Sequence, residues 1–192
     1  VKAMKINQFK QYRFLSLCFL LLFLSLSGLL SGCATAPQHS KNQSAAYARV
    51  QVALGYLQQH QYEAAKQSLD RALQHDADYY LPYLVLAHYY QLIGNNSQAE
   101  SHYQLALQKD PNQGDIYNNY AAFLCQQGNF AEAFKNFDLA LKSPDYYRLA
   151  QTYENTALCA HQASDLPRQN EALVKLSYID SQQADRLKLL FK

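Results

Sequence analysis

The stretch "NNYAAFLCQQGNFAEAFKNFDLALK", Asn118 to Lys142, contains two segments separated by the dipeptide Gly128-Asn129. Within each segment, apolar and small residues recur at spacings of three and four, the period of one face of an α-helix. Glycine followed by asparagine is a turn signal, and only a few residues separate the two segments. The stretch therefore predicts two antiparallel helices joined by a short turn.

The alanines of this predicted helix pair recur along the chain with a period of 34 residues. Small residues at fixed positions allow the two helices of a pair to cross closely, and a period of this length predicts a solenoid of stacked helix pairs. Further turn signals stand at residues 60–61 and 94–96, and "KDPN" at 109–112 separates two units. The three series of alanines are Ala53, Ala87 and Ala121; Ala65, Ala99 and Ala133; and Ala72, Ala106 and Ala140.

This period and these small-residue positions resemble the tetratricopeptide repeat. The resemblance implies an all-α solenoid over residues 45–192, with full repeats at 46–79, 80–113 and 114–147, a degenerate repeat at 150–181 and a capping helix at 182–192. In the degenerate repeat, Ala157 fills the first small position, whereas Gln169 and Leu176 replace the other two alanines after a two-residue insertion. Pro167 is expected to begin the second helix of this repeat, where a missing N–H costs little.

The first 33 residues have the features of a secretory signal. Residues 1–13 are basic without an acid, residues 14–30 are apolar, and "LSGC" follows at 30–33. The pattern resembles a bacterial lipobox, which implies a signal peptide over 1–32, a covalent lipid on Cys33 and, because residue 34 is Ala rather than Asp, the periplasmic face of the outer membrane. The alternative is an uncleaved anchor, since seventeen apolar residues can nearly span a bilayer. Residues 33–44 would form the lipidated cysteine and a flexible tether.

Charge argues against nucleic acid as a partner. Four basic residues, Lys2, Lys5, Lys10 and Arg13, lie in the signal region, so the chain without residues 1–32 has 13 basic residues against 15 acids and a net charge of −2. Binding to phosphates requires a surplus of Lys and Arg.

No catalytic motif is evident either. The six histidines do not form an i, i+4 metal pair, and neither a glycine-rich phosphate loop nor a Gly-x-Ser-x-Gly elbow is present. We expect no enzymatic activity, no metal, no small-molecule substrate and no cofactor beyond the lipid on Cys33.

Function is then expected from a concave groove, which the first helix of each repeat lines in the tetratricopeptide-repeat family. The apolar character of the matching positions favours an apolar segment of a partner protein. The alternative is that some of these side chains only pack between helices, and the adjacent asparagines could bond either to a ligand or within the fold. The candidate groove residues are Val50, Leu54, Leu57, Leu81, Leu84, His88, Leu92, Asn118 and Asn119.

The cysteines outside the signal region and the lipobox are Cys125 and Cys159, on the first helices of the third and fourth repeats. Equivalent helices of neighbouring repeats lie side by side, so a disulfide between them is geometrically reasonable, and an oxidising periplasm would preserve it. The alternative is two buried free thiols.

The segment from Asn118 to Cys159 also resembles the type IV pilus biogenesis and stability lipoproteins, the PilF/PilW family. The resemblance implies a pilotin that binds secretin subunits, brings them to the outer membrane and promotes their assembly. Two alternatives stay open: a general periplasmic scaffold for envelope or cell-wall assembly proteins, and stabilisation of the pilus fibre without secretin contact. The chain departs from the family at Ala121 and Ala157, where the family has glycine. The matching residues are Asn118, Asn119, Tyr120, Phe123, Leu124, Cys125, Pro144, Tyr146, Asn155 and Cys159.

Overall fold

The computed structural model describes residues 41–191, which form α-helices joined by short turns. Four antiparallel pairs, α1–α2, α3–α4, α5–α6 and α7–α8, follow one another, and α9 packs on α8. The predicted all-α solenoid of helix pairs is confirmed. The helices are α1 (Lys41–Gln58), α2 (Tyr62–His75), α3 (Tyr80–Leu92), α4 (Asn96–Lys109), α5 (Gly114–Gln126), α6 (Phe130–Lys142), α7 (Leu149–Gln162), α8 (Leu166–Ile179) and α9 (Ser181–Leu190).

The alanines of the 34-residue period lie where the helices of each pair cross. All nine are completely buried, as expected for positions where a larger side chain would separate the two backbones. In the fourth pair, Gln169 and Leu176 occupy the substituted positions and are also buried. Pro167 stands in the first turn of α8, and Asp165 caps that helix by accepting a hydrogen bond from the backbone N–H of Arg168 at 3.1 Å.

The turn inside each helix pair contains one residue in the left-handed region. Gly94 and Gly128 have φ of 76° and 77°, and the equivalent His60 and Ser164 have φ of 56° and 57°. Glycine adopts this conformation without the steric cost that a Cβ imposes. The glycine turns of the second and third pairs therefore avoid a steric cost that His60 and Ser164 impose in the first and fourth pairs.

Three apolar clusters run along the solenoid. The first joins α1 and α2 to α3, and the second joins the second and third pairs and includes Cys159 of α7. The third is confined to the fourth pair and α9, with Ala157, Leu173, Leu176 and Leu187 among its members. The C-terminal cluster is thus separate from the larger cluster beside it, which Cys159 reaches from α7.

The predicted tether extends too far along the chain. Residues 41–44 belong to α1 rather than to a flexible segment, because no glycine or proline interrupts residues 38–54 and buried Ala46 and Val50 anchor the helix to its partners. The predicted signal peptide and Cys33 lie outside the described residues. Within residues 41–191, no helix is both long enough and apolar enough to cross a membrane.

Candidate functional site

A hollow of ≈ 380 Å³ lies between the first helices of the first three pairs, α1, α3 and α5. One end is bordered by the segment that links α6 to α7. The lining combines aliphatic side chains, aromatic rings and a few polar groups, the usual composition of a ligand site. The lining residues are Tyr47, Gln51, Leu54, Tyr79, Tyr80, Leu81, Leu84, Val85, His88, Tyr103, Asp115, Asn119, Tyr147 and Arg148.

The structure brings only part of the predicted groove set into this hollow. Val50 and Leu57 are 0% and 5% exposed and pack in the N-terminal cluster, so they hold helices together instead of facing a ligand. Leu92 is 41% exposed but lies outside the hollow, because it is the last residue of α3. The predicted residues that do line the hollow are Leu54, Leu81, Leu84, His88 and Asn119.

The two adjacent asparagines have different roles. Asn118 is 1% exposed, and its side-chain oxygen accepts a hydrogen bond from the amide of Asn155 on α7 at 3.1 Å. Asn119 turns toward the hollow while its amide donates to the backbone carbonyl of Asp115 at 2.7 Å. Asn118 therefore joins two repeats, and Asn119 offers its remaining polar capacity to the hollow.

Five tyrosines line the hollow, and sequence reasoning did not assign them there. Tyr103 is buried at the floor, where its hydroxyl donates to the side-chain oxygen of Gln91 at 2.5 Å. Burial raises the pKa of Tyr80 and Tyr103 above the ordinary tyrosine value, so both stay neutral. Tyr47 is 49% exposed and presents its ring at the mouth. The abundance of tyrosine, 16 residues, was the available signal.

The linker between α6 and α7 supplies Tyr147 and Arg148 to the hollow. The neighbouring Tyr146 holds this linker in place. The ring of Tyr146 lies against Gly114, and its hydroxyl is 2.7 Å from the hydroxyl of Thr152. A side chain at position 114 would overlap that ring, so this glycine permits the close approach. The two-residue insertion recognised in the sequence therefore builds one wall of the hollow.

The charged groups in the hollow largely neutralise one another. The guanidinium of Arg148 lies 3.5 Å from a carboxylate oxygen of Asp115. His88 is on the mouth side, and loss of hydration among its neighbours lowers its pKa below the ordinary histidine value. His88 is therefore neutral at pH 7, and the hollow carries no net charge from these three residues.

Cys125 and Cys159 form a disulfide that joins α5 to α7, with a Cα–Cα distance of 5.8 Å. Both cysteines are buried, at 5% and 2% exposure. Of the two alternatives, a disulfide and two buried free thiols, the structure contains the disulfide. Both cysteines belong to the second apolar cluster, and neither lines the hollow.

Within the part of the chain that the structure describes, no group of three or more His, Cys, Asp or Glu side chains is arranged to hold a metal ion. The features that the site offers are aromatic faces, aliphatic side chains and a few hydrogen-bonding groups. Such a surface suits the binding of a protein segment.

Comparison with known proteins identifies relatives over most of the chain. A family model for the tetratricopeptide repeat matches residues 102–135. An uncharacterized protein of Haemophilus influenzae is 44% identical over 163 residues, which are 84% of this chain and 91% of the relative. The type IV pilus assembly protein PilF of Pseudomonas aeruginosa is 30% identical over 148 residues, which are 74% of this chain and 58% of PilF.

Among solved structures, the crystal structure of PilW, a widely conserved type IV pilus biogenesis factor, is similar with a TM-score of 0.68 and 29% identity. The match covers 76% of this chain and 70% of that chain. Sequence and fold agree across about three quarters of the protein. The chain therefore belongs to the tetratricopeptide-repeat family, and the type IV pilus biogenesis proteins PilF and PilW are its homologues.

Proposed function

We propose that this protein is an outer-membrane lipoprotein that acts as a pilotin in type IV pilus biogenesis. It would bind secretin subunits through the hollow, carry them to the outer membrane and promote their multimerisation. The observation that carries the proposal is the likeness to PilF and PilW over about three quarters of the chain. The repeat fold and these homologues indicate a non-catalytic scaffold in pilus biogenesis. The pilotin role and the binding of secretin subunits go beyond that and are our proposal.

Each part of the molecule has a distinct task in this proposal. The lipid on Cys33 supplies affinity for the membrane, and the short segment before α1 gives the repeats limited reach from the bilayer. The hollow holds an apolar segment of the unassembled secretin, which would otherwise associate with other exposed apolar surfaces. Release then follows when subunits pair with one another more favourably than with the hollow.

Deletion of the gene tests the proposal in the cell. We expect heat-resistant secretin multimers to disappear from the outer membrane and to return with the wild-type gene. A Cys33→Ala variant should fold but fail to localise the secretin, because it lacks the lipid. Normal multimer levels in the deletion strain would overturn the proposal, and normal secretin with few surface pili would favour stabilisation of the fibre instead.

Site-specific photo-crosslinking tests where the client binds. A photoreactive residue replaces Tyr47, which is 49% exposed in the hollow, and in a matched control replaces Tyr178, which is 84% exposed on α8 outside it. We expect a secretin adduct from position 47 and none from position 178. An adduct with a cell-wall hydrolase or transpeptidase from position 47 would support the general scaffold. Equal secretin adducts from both positions would contradict binding in the hollow.

A further inference from the structure

An acidic edge adjoins the hollow and shares Tyr79 and Tyr80 with it. The edge is formed by the loops after α2 and α4, where three acids, Asp76, Asp78 and Asp110, stand against one base, Lys109. We call these four residues the acidic rim. The ammonium of Lys109 lies 2.7 Å from a carboxylate oxygen of Asp78, so that pair is neutral.

Among the described residues, the other two acids, Asp76 and Asp110, make no salt bridge, although Lys109, which pairs with Asp78, also lies within electrostatic range of Asp76. Their carboxylates accept hydrogen bonds from the backbone N–H groups of Asp78 and Asn112, both at 3.0 Å. These bonds fix the positions of the two carboxylates at the end of each helix. The acidic rim therefore has a formal charge of −2 beside a hollow with no net charge.

The tyrosines between hollow and rim add to this preference. The face of an aromatic ring attracts a cation at distances up to about 6 Å. The protein already uses this contact nearby, with Lys109 5.8 Å from the ring centre of Tyr83 and Arg148 5.8 Å from that of Tyr147. A cationic side chain of a ligand that reaches from the hollow to the acidic rim would lie beside the rings of Tyr79 and Tyr80, which line both.

From this charge complementarity we infer that the hollow and the acidic rim together select a protein segment in which an apolar stretch is followed by Lys or Arg. The apolar side chains lie against the half-buried Leu54 and Leu81, and the basic side chain reaches the acidic rim past Tyr79 and Tyr80. The inference rests on the proposed function, in that the hollow holds a client segment, and it adds the chemistry that distinguishes that segment from other apolar chains.

Three synthetic peptides test the inference. They share one leucine- and phenylalanine-containing core and end in Lys-Lys, Gln-Gln or Glu-Glu, and their Kd for the full chain, purified in detergent, is measured by fluorescence anisotropy at low salt. We expect affinity to fall from the lysine to the glutamine to the glutamate peptide. Asp76→Asn with Asp110→Asn should weaken the lysine peptide about fivefold and leave the glutamine peptide unchanged. High salt should reduce the preference.

Asp180→Asn is the matched control, because Asp180 likewise ends a helix and accepts a backbone hydrogen bond, from Gln183 at 2.9 Å, but lies outside the hollow and the acidic rim. Asparagine can accept the same backbone hydrogen bond at all three positions, in an Asx turn at Asp76 and Asp110 and as the N-cap of α9 at Asp180. Equal affinities of the three peptides, no binding by any of them, or equal weakening by Asp180→Asn would overturn the inference. A secretin that still forms adducts at position 47 under those results would leave the proposed function standing.

Discussion

Reducing the Cys125–Cys159 disulfide should loosen the C-terminal end of the solenoid and leave its N-terminal end intact. The bridge closes a loop with a sequence separation of 34, which corresponds to about 3.8 kcal/mol of loop-closure entropy in the unfolded chain. In the folded protein the bridge links α7 to the second apolar cluster, which joins the second and third helix pairs. The buried residues of α8 and α9 belong to the third cluster. Each repeat depends on its neighbours, so the loss falls mainly on the terminal repeat.

Hydrogen exchange detected by mass spectrometry measures this effect by region. We expect the amides of α7, α8 and α9 to exchange up to several hundred times faster after reduction, which is roughly what 3.8 kcal/mol implies. Amides of α1 and α2 should be unaffected. The global midpoint of thermal unfolding should fall by about 10 °C if the chain unfolds as one unit.

The double variant Cys125→Ala/Cys159→Ala is the control, because reductant should not change its exchange. Comparing oxidised and reduced wild type avoids the packing loss that alanine introduces. Unchanged protection of α7–α9 in a sample whose thiols are demonstrably free would refute the reasoning. So would two titratable thiols at these positions in denatured protein that was never reduced.

Other predictions concern turns, a buried amide pair and a histidine. Gly128→Ala should lower the free energy of unfolding by about 1 kcal/mol, because the backbone at this position has a φ of 77°. Gly55→Ala should raise the free energy of unfolding by up to about 1 kcal/mol, because Gly55 lies inside α1 with open space around it. Urea titrations measure both effects. Asn118→Ala should cost about 1–3 kcal/mol because it removes the acceptor of the Asn155 amide, and a double-mutant cycle should show coupling between the two residues; additive effects would count against the bond. The pKa of His88 is lowered in the folded protein, so folding is favoured while the imidazole is neutral. This contribution to stability is complete above pH 6.5 and declines as the pH falls through the lower pKa of the folded state. His88→Gln should flatten this part of the pH–stability profile, and an unaltered profile would contradict the prediction.

Much of the fold could be predicted because the 34-residue period has a direct physical cause. Ala53, Ala87 and Ala121 recur where two helix backbones must cross, and only small side chains fit there. The same regularity located the helix pairs, the degenerate fourth repeat and the facing helices that carry Cys125 and Cys159. These features depend on neighbouring positions along the chain or on one repeat stacked against the next.

The sequence left the composition of the hollow only partly determined. Val50 and Leu54 are both apolar and four residues apart on one helix, yet Val50 is buried and Leu54 faces the hollow. Their fates differ because α3 covers one side of α1, and the angle at which α3 packs is not encoded in the period. Exposure at such positions follows from the rotation between repeats.

The wall of the hollow and the charge of its lining depend on how distant segments of the chain pack together. The period predicts that two residues are inserted before α7, but not that Tyr146 folds against Gly114 and carries Tyr147 and Arg148 toward Asp115. The order of the helices and their small-residue contacts can therefore be predicted from the amino-acid sequence, because these features are short-range and repeated. The binding surface is made by side chains from three repeats and a linker, and it exists only once those parts are packed together.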